Sequence, residues 1–201
     1  MKIAKATLLP KAILLTFPAL LLFGASRGAT APDPEPAAAA QYTAAGELIL
    51  PADYRDWVFL TSGVNMNYSD EPTGMDHEMV DNVFVDPVSW KRFKATGRWP
   101  DGTVMVKEPR IGSSKGSINK SGIFQTEQRF DLEIHVRDST RFKGGWGFFV
   151  NVDNKPAKLI PASASCYSCH GAHGAVDSTF VQFYPTARPI AVKAGTFAAD
   201  K

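Results

Sequence analysis

Between residues 130 and 137 the chain alternates strictly. Phe130, Leu132, Ile134 and Val136 are apolar, whereas Asp131, Glu133, His135 and Arg137 are polar. Period-two patterning of this kind is satisfied by a strand with one face in a core. Residues 103–107 follow the same rule, with Val104 and Val106 on one face and Met105 and Lys107 on the other. Apolar runs at 57–60, 83–85, 146–152 and 180–184, bounded by Gly, Pro, Asp or Ser, read as further strands. Two segments read as helices. Asp86 can cap the first, with Pro87 at its first position, a body over 88–96 and Gly97 as its stop. The second is short, carries Cys166 to His170, and has Ser163 or Ser165 available as its cap. The expected class is therefore α+β, mainly antiparallel sheet with a few helices, one of them near the C-terminus.

The N-terminus has a different character. Lys2, Lys5 and Lys11 lead into an apolar run over 12–24, interrupted by Thr16 and Pro18, and Ala29-Thr30-Ala31 fits a small-residue cleavage site. That layout reads as a secretory signal peptide over 1–31. A membrane anchor needs roughly 20 apolar residues, more than this core supplies. The Pro- and Ala-rich stretch 32–41 reads as a flexible arm, and 42–201 suits one domain. Cleavage would remove four basic residues and no acid, leaving 18 basic against 20 acidic. That balance gives no basic patch for nucleic acid. The mature protein is expected in the periplasm, with no attachment to the membrane.

The two cysteines stand in Cys166-Tyr167-Ser168-Cys169-His170. C-x-x-C-H is the attachment signature of c-type haem: each thiol adds to one vinyl group, and the adjoining histidine, here His170, reaches the iron. A redox dithiol would want a neighbouring βαβ pattern, and zinc would want four ligands. Neither is visible in the pattern. His173 lies one helical turn beyond His170 and is read as a haem-edge or exposed residue. Only 31 residues follow His170 and none is Met. Met66, Met75, Met79 and Met105 all lie upstream, so the sixth iron position is expected to be open or held by water, a state suited to small-molecule chemistry.

In order along the chain come Tyr54-Arg55-Asp56-Trp57, Val83-Phe84-Val85-Asp86-Pro87, Thr96-Gly97, Asp101-Gly102-Thr103 and Val106-Lys107-Glu108. Leu132-Glu133, Asp138-Ser139, the haem motif and Phe183-Tyr184-Pro185 follow. In this order they resemble the cytochrome P-460 family, which includes the cytochromes c′-β, over residues 48–189. The resemblance implies an antiparallel-sheet protein, usually a homodimer, with a five-coordinate haem c. It implies oxidation of hydroxylamine, with electrons passed to an accepting cytochrome, where a lysine is bonded to the porphyrin rim. It implies nitric oxide binding where that bond is missing. A plain electron-transfer cytochrome is the third reading.

Lys107 matches the cross-linking lysine of the family, although by pattern alone it is a strand lysine facing water. Glu133 matches an acidic pocket residue that would accept protons, although by pattern alone it sits on a solvated strand face. His77, in Met75-Asp76-His77-Glu78, falls near the place where relatives carry a bulky aromatic over the iron. It reads either as a distal proton relay or as a loop histidine.

Overall fold

A computed structural model describes residues 40–66, 77–116, 118 and 120–201. The expected signal peptide and most of the arm lie outside the described residues, as does Met75. All described residues belong to one structural unit, Pro34–Lys201.

Among them, seven strands form one antiparallel sheet. The strands are β1 (Val58–Val64), β2 (Glu78–Val85), β3 (Val104–Ser113), β4 (Phe124–Arg129), β5 (Leu132–Arg137), β6 (Trp146–Asn151) and β7 (Lys158–Leu159). Their order is β1-β2-β3-β5-β6-β7, with β4 also paired to β3. Three helices accompany them: α1 (Pro87–Thr96), α2 (Ser165–His173) and α3 (Arg188–Ala194). The fold is thus α+β and mainly antiparallel, with the helix bearing the cysteines near the C-terminus, as the patterning implied. No helix among the described residues is long and apolar enough to cross a membrane.

The sheet has a core on each side. Val104, Val106, Leu132, Ile134 and Val136 bury one face against Leu48, Tyr54 and Phe149. On the other, Val85, Met105 and Phe148 join Phe93 of α1 and Ala191 of α3. The alternation read from sequence in β3 and β5 therefore holds residue for residue. It was incomplete in one respect, because the polar face of β5 also lines the cavity beneath α2, with Glu133 half-exposed there and His135 packed on His170.

Helix α1 follows its sequence signals. The Asp86 side chain accepts from Ser89 N at 2.8 Å, and its second oxygen accepts from Val104 N at 3.0 Å, tying the helix start to β3. Gly97 ends the helix at φ 70°, a left-handed conformation in which a side chain is strained.

Several expectations are corrected. Residues 180–184 do not form a strand: Val181–Phe183 is a 3-10 turn whose Tyr184 N bonds back to Val181 O at 3.0 Å. No neighbouring strand supplies its backbone with partners, and the apolar run instead buries Val181 and Tyr184 beneath the helices. Neither Ser163 nor Ser165 caps α2; the cap position is Ala164, with no side-chain bond, and Ser165 is the first helical residue. Trp57 closes a 3-10 turn, Tyr54–Asp56, and does not start β1. The alternation reads 130–137 as one strand, but β5 starts only at Leu132, and residues 130 and 131 separate it from β4. Between Lys107↔Glu133 and Arg110↔Arg129 the register slips by one residue. Pro109 stands opposite this slip; it has no N–H to donate, and its carbonyl accepts from Phe130 N at 3.0 Å.

Candidate functional site

Register carries side chains from four strands into one patch on the helix-facing side. Thr61, Val83, Lys107 and Glu133 stand in a row across β1, β2, β3 and β5. Met105, His135 and Phe148 form the next row across β3, β5 and β6. Helix α2 lies over this patch. Its Tyr167 hydroxyl donates to Ile160 O at 3.0 Å and accepts from Phe148 N at 3.3 Å, which anchors the motif to the strand beneath. Between helix and sheet is a cavity of about 460 Å³, lined among others by Cys166, Cys169, His170, Lys107, Glu133 and Phe180. Both cysteines are free thiols and half-buried.

The His170 ring is fixed on all sides. Its Nδ1 lies 2.9 Å from Ser178 O. A carbonyl only accepts, so Nδ1 carries the hydrogen and Nε2 keeps its lone pair for a metal. Burial pushes the imidazole below its ordinary range, partly opposed by that carbonyl, and so favours the neutral, ligating form. Phe180, Phe148 and His135 pack around it with ring centroids 4.3, 4.8 and 4.8 Å away.

The carbonyl is held as firmly as the ring. Asp177 accepts from Arg98 Nη1 at 2.8 Å and Trp99 N at 3.1 Å, and Thr179 Oγ1 accepts from Trp99 Nε1 at 2.9 Å. Gly174 lets this loop fold back: a Cβ there would stand 2.5 Å from Ser178 C and 2.6 Å from His170 O.

Lys107 and Glu133 are directly paired across β3 and β5, with Nζ 3.0 Å from Oε1. A second acid, Asp81 of β2, stands 3.4 Å from the same nitrogen. Asp81 is the more buried acid, its side chain 16% exposed against 44% for Glu133. Burial raises its carboxyl, Lys107 lowers it, and Glu133 raises it again.

His77 stands apart. It lies just before β2 and stacks on Phe130, centroids 5.5 Å apart, outside the residues that line the cavity. His173 ends α2, exposed, with its carbonyl accepting from Gln182 Nε2 at 2.7 Å. Of the methionines, Met66 reaches the cavity wall and Met105 is buried in the core.

Two site residues escaped the sequence reading. His135 shares the face of Glu133 two residues on, so the alternation contained it, but a polar strand face reads as solvated by default. It is half-buried, and desolvation holds its imidazole well below the ordinary range. Two imidazoles ligating one metal from opposite sides need a bond of about 2 Å on each side plus both rings. The 4.8 Å separation of the His135 and His170 centroids is too short for that, so His135 is a packing neighbour of the ligand. Asp81 was hidden because Asp81 and Asn82 interrupt the apolar run that marked β2.

The residues fit a haem. The cavity brings two free thiols, an imidazole with its outer nitrogen poised and a largely carbon-lined wall to one place. Among the described residues no group of three or more His, Cys, Asp or Glu is arranged to hold a bare metal ion. Residues 51–181 match the family model described as Cytochrome P460. No curated protein matches the chain. The chain belongs to the cytochrome P460 family, and is accordingly a haem cytochrome.

Proposed function

From that membership and this pocket, we propose an exported, periplasmic mono-haem enzyme that oxidises hydroxylamine. The observation that carries the reading is the placement of Lys107 and Glu133, 3.0 Å apart, on the cavity wall that also holds Cys166, Cys169 and His170. Thioethers from the two cysteines and the His170 Nε2 would hold the haem, and Lys107 Nζ would be joined to the porphyrin rim, the C–N bond replacing one N–H and one rim C–H with two electrons passing to an oxidant of the peroxide class. When bound, the haem supplies an open iron position for the substrate nitrogen and a route for electrons to an accepting cytochrome. The chain supplies the proton chemistry. Hydroxylamine oxidation releases protons along with electrons, and Glu133, partly exposed at the cavity wall, accepts protons and passes them to water. Lys107, while still an ammonium, orients that carboxylate.

A second reading is a nitric oxide-binding protein of the c′-β kind. It is favoured by the two carboxylates around Lys107, since an ammonium held in ion pairs is not a nucleophile. A plain electron carrier needs a strong sixth ligand, for which Met66 is, among the described residues, the methionine on the cavity wall.

One spectrum and one assay separate the three. The enzyme should show a strongly red-shifted ferrous Soret band and reduce an added cytochrome when given hydroxylamine. An ordinary high-spin haem c spectrum without turnover would establish the nitric oxide binder. A low-spin spectrum slow to take up carbon monoxide would establish the carrier. In every case acid–organic extraction of denatured protein should leave the haem on the polypeptide; haem released by that treatment would refute thioether attachment.

We also propose a homodimer. Strand β1 ends the sheet with Phe59 and Val64 each 51% exposed, an edge that a second chain would cover. Sedimentation at micromolar concentration should show twice the monomer mass, and a clean monomer would reject it.

A further inference from the structure

The haem-sized cavity has a neighbour. A second cavity of about 330 Å³ is lined in part by Asn65, Met79, Phe130 and Asp131. Asp81, Lys107 and Glu133 line both. They form the partition, and the position of the Lys107 ammonium decides which side it serves. Two carboxylates compete for it. Glu133 draws it along its own row, beside Asp131 and the outer cavity, from a half-exposed position where water screens the attraction. Asp81 lies two residues from the Val83 that pairs with Lys107, and so draws Nζ diagonally across the sheet. Its lower exposure gives that pull a lower local dielectric.

We propose that Asp81 is a positioning residue for Lys107: until Nζ is joined to haem, its ion pair with Asp81 sets where Nζ sits in the partition. Glu133 then remains the acid that exchanges protons with water. This assignment rests on the reading of Lys107 as a working pocket residue, and it adds a determinant on a third strand. The strands do not need a half-buried acid on β2 facing this lysine: β2 and β3 are already paired backbone to backbone from Glu78↔Gly112 to Val85↔Met105. An uncompensated buried carboxylate costs stability, so its presence asks for a cation beside it.

The test uses haem-loaded protein, with Asp81→Asn, Asp81→Glu and Glu133→Gln beside the wild type. Peptide mass spectrometry reads two quantities: the fraction of Lys107 joined to haem, and the rate at which free Lys107 is acylated by a water-soluble succinimidyl ester at neutral pH. Asp81→Asn keeps the shape and removes the charge. It should lower the haem-joined fraction at least about threefold, because Nζ is drawn to the Glu133 side and the lost placement outweighs the freer amine. It should also speed acylation of the free amine about tenfold, the effect of losing one close opposite charge. Asp81→Glu should restore both toward wild type. Glu133→Gln should change acylation less than Asp81→Asn does, because its charge is better screened.

If Lys107 is free in the wild type, the cross-link reading fails while the acylation series still decides this proposal. Unchanged acylation in Asp81→Asn, or a larger change in Glu133→Gln, overturns it. Should Asp81→Asn not load haem, Asp81→Ser and Asp81→Glu read the same two quantities with and without a carboxylate.

Discussion

Lys107→Ala should leave a folded protein with haem still bound through thioethers, an ordinary haem c spectrum and no hydroxylamine turnover. The fold should survive because Lys107 pairs through its backbone with Val83 and Glu133, and alanine keeps those bonds. The lost ion pairs involve a side chain 30% exposed, where screening limits their worth to about 1 kcal/mol. Asp81 is then left without its cation, and since burial already raises its carboxyl it can take up a proton. Turnover should fall at least ~10²-fold, because the substitution removes the bond that tunes the ring and the side chain that stands beside the proton acceptor. Nitric oxide binding needs neither, and should persist. Glu133→Gln should divide these effects: the red-shifted band stays and turnover drops by a comparable factor. Stopped-flow reduction of an added cytochrome, with the ferrous spectrum of the same samples, reads both variants. Active, fully loaded wild-type protein with a free Lys107 peptide would refute the cross-link and favour the nitric oxide binder.

The fold was legible where one physical signal dominated. Val104, Val106, Leu132, Ile134 and Val136 announce a buried face because nothing but a core repeats apolar residues every second position. Asp86, Pro87 and Gly97 announce α1 because each satisfies a backbone requirement of a helix end. What failed depended on contacts distant in sequence. The run at 180–184 has strand composition, yet a strand exists only with a partner, and here Val181 and Tyr184 are drawn beneath helices instead. The β4–β5 break hangs on Pro109, some twenty residues upstream, which alternation within 130–137 cannot express. Strand β4 was invisible because its residues, Phe124–Arg129, are mostly exposed and polar, so it carries no burial signature.

The site divides in the same way. Cys166, Cys169 and His170 are legible because their chemistry demands adjacency in sequence. Lys107 and Glu133 lie 26 residues apart and face one another only through the β3–β5 register. Asp81 and His135 are site residues by the same register, but each has a bland reading as a polar residue on an open strand face. His77 shows the converse: proximity in sequence to an expected pocket position did not bring its ring to the cavity, because it stacks on Phe130 instead. The support for His170 is the least legible part. A main-chain carbonyl has no sequence signature, and the clamps on its two neighbours, Asp177 and Thr179, come from Arg98 and Trp99, close to eighty positions away.

That support makes the second large effect specific. His170→Ala should leave haem tethered by Cys166 and Cys169 but without its axial nitrogen, lowering the haem-to-protein ratio severalfold and abolishing turnover. The neighbouring His135 cannot take over unaided: its ring packs on Phe148 at 4.3 Å and belongs to a strand paired on both sides, so it cannot swing to a new position without disrupting β5. The hole left is ring-shaped and walled by Phe148, Phe180 and His135, and free imidazole at millimolar concentration should enter it and restore part of the wild-type spectrum. Gly174→Ala should be the graded version. Its Cβ meets the Ser178 main chain at 2.5 Å, so the carbonyl must retreat and the Nδ1 bond lengthen or break while the ligand itself remains. Loss of such an outer partner typically costs 10–100-fold in metal affinity or activity. Gly174→Ala should therefore fall by roughly that factor, and the iron–histidine stretching band should shift to lower frequency, since a weaker bond at Nδ1–H makes Nε2 a poorer donor. If His170→Ala kept the wild-type spectrum and rate, His170 would not be the axial ligand, and Gly174→Ala, which displaces the Ser178 carbonyl bonded to His170 Nδ1, should then leave the stretching band in place.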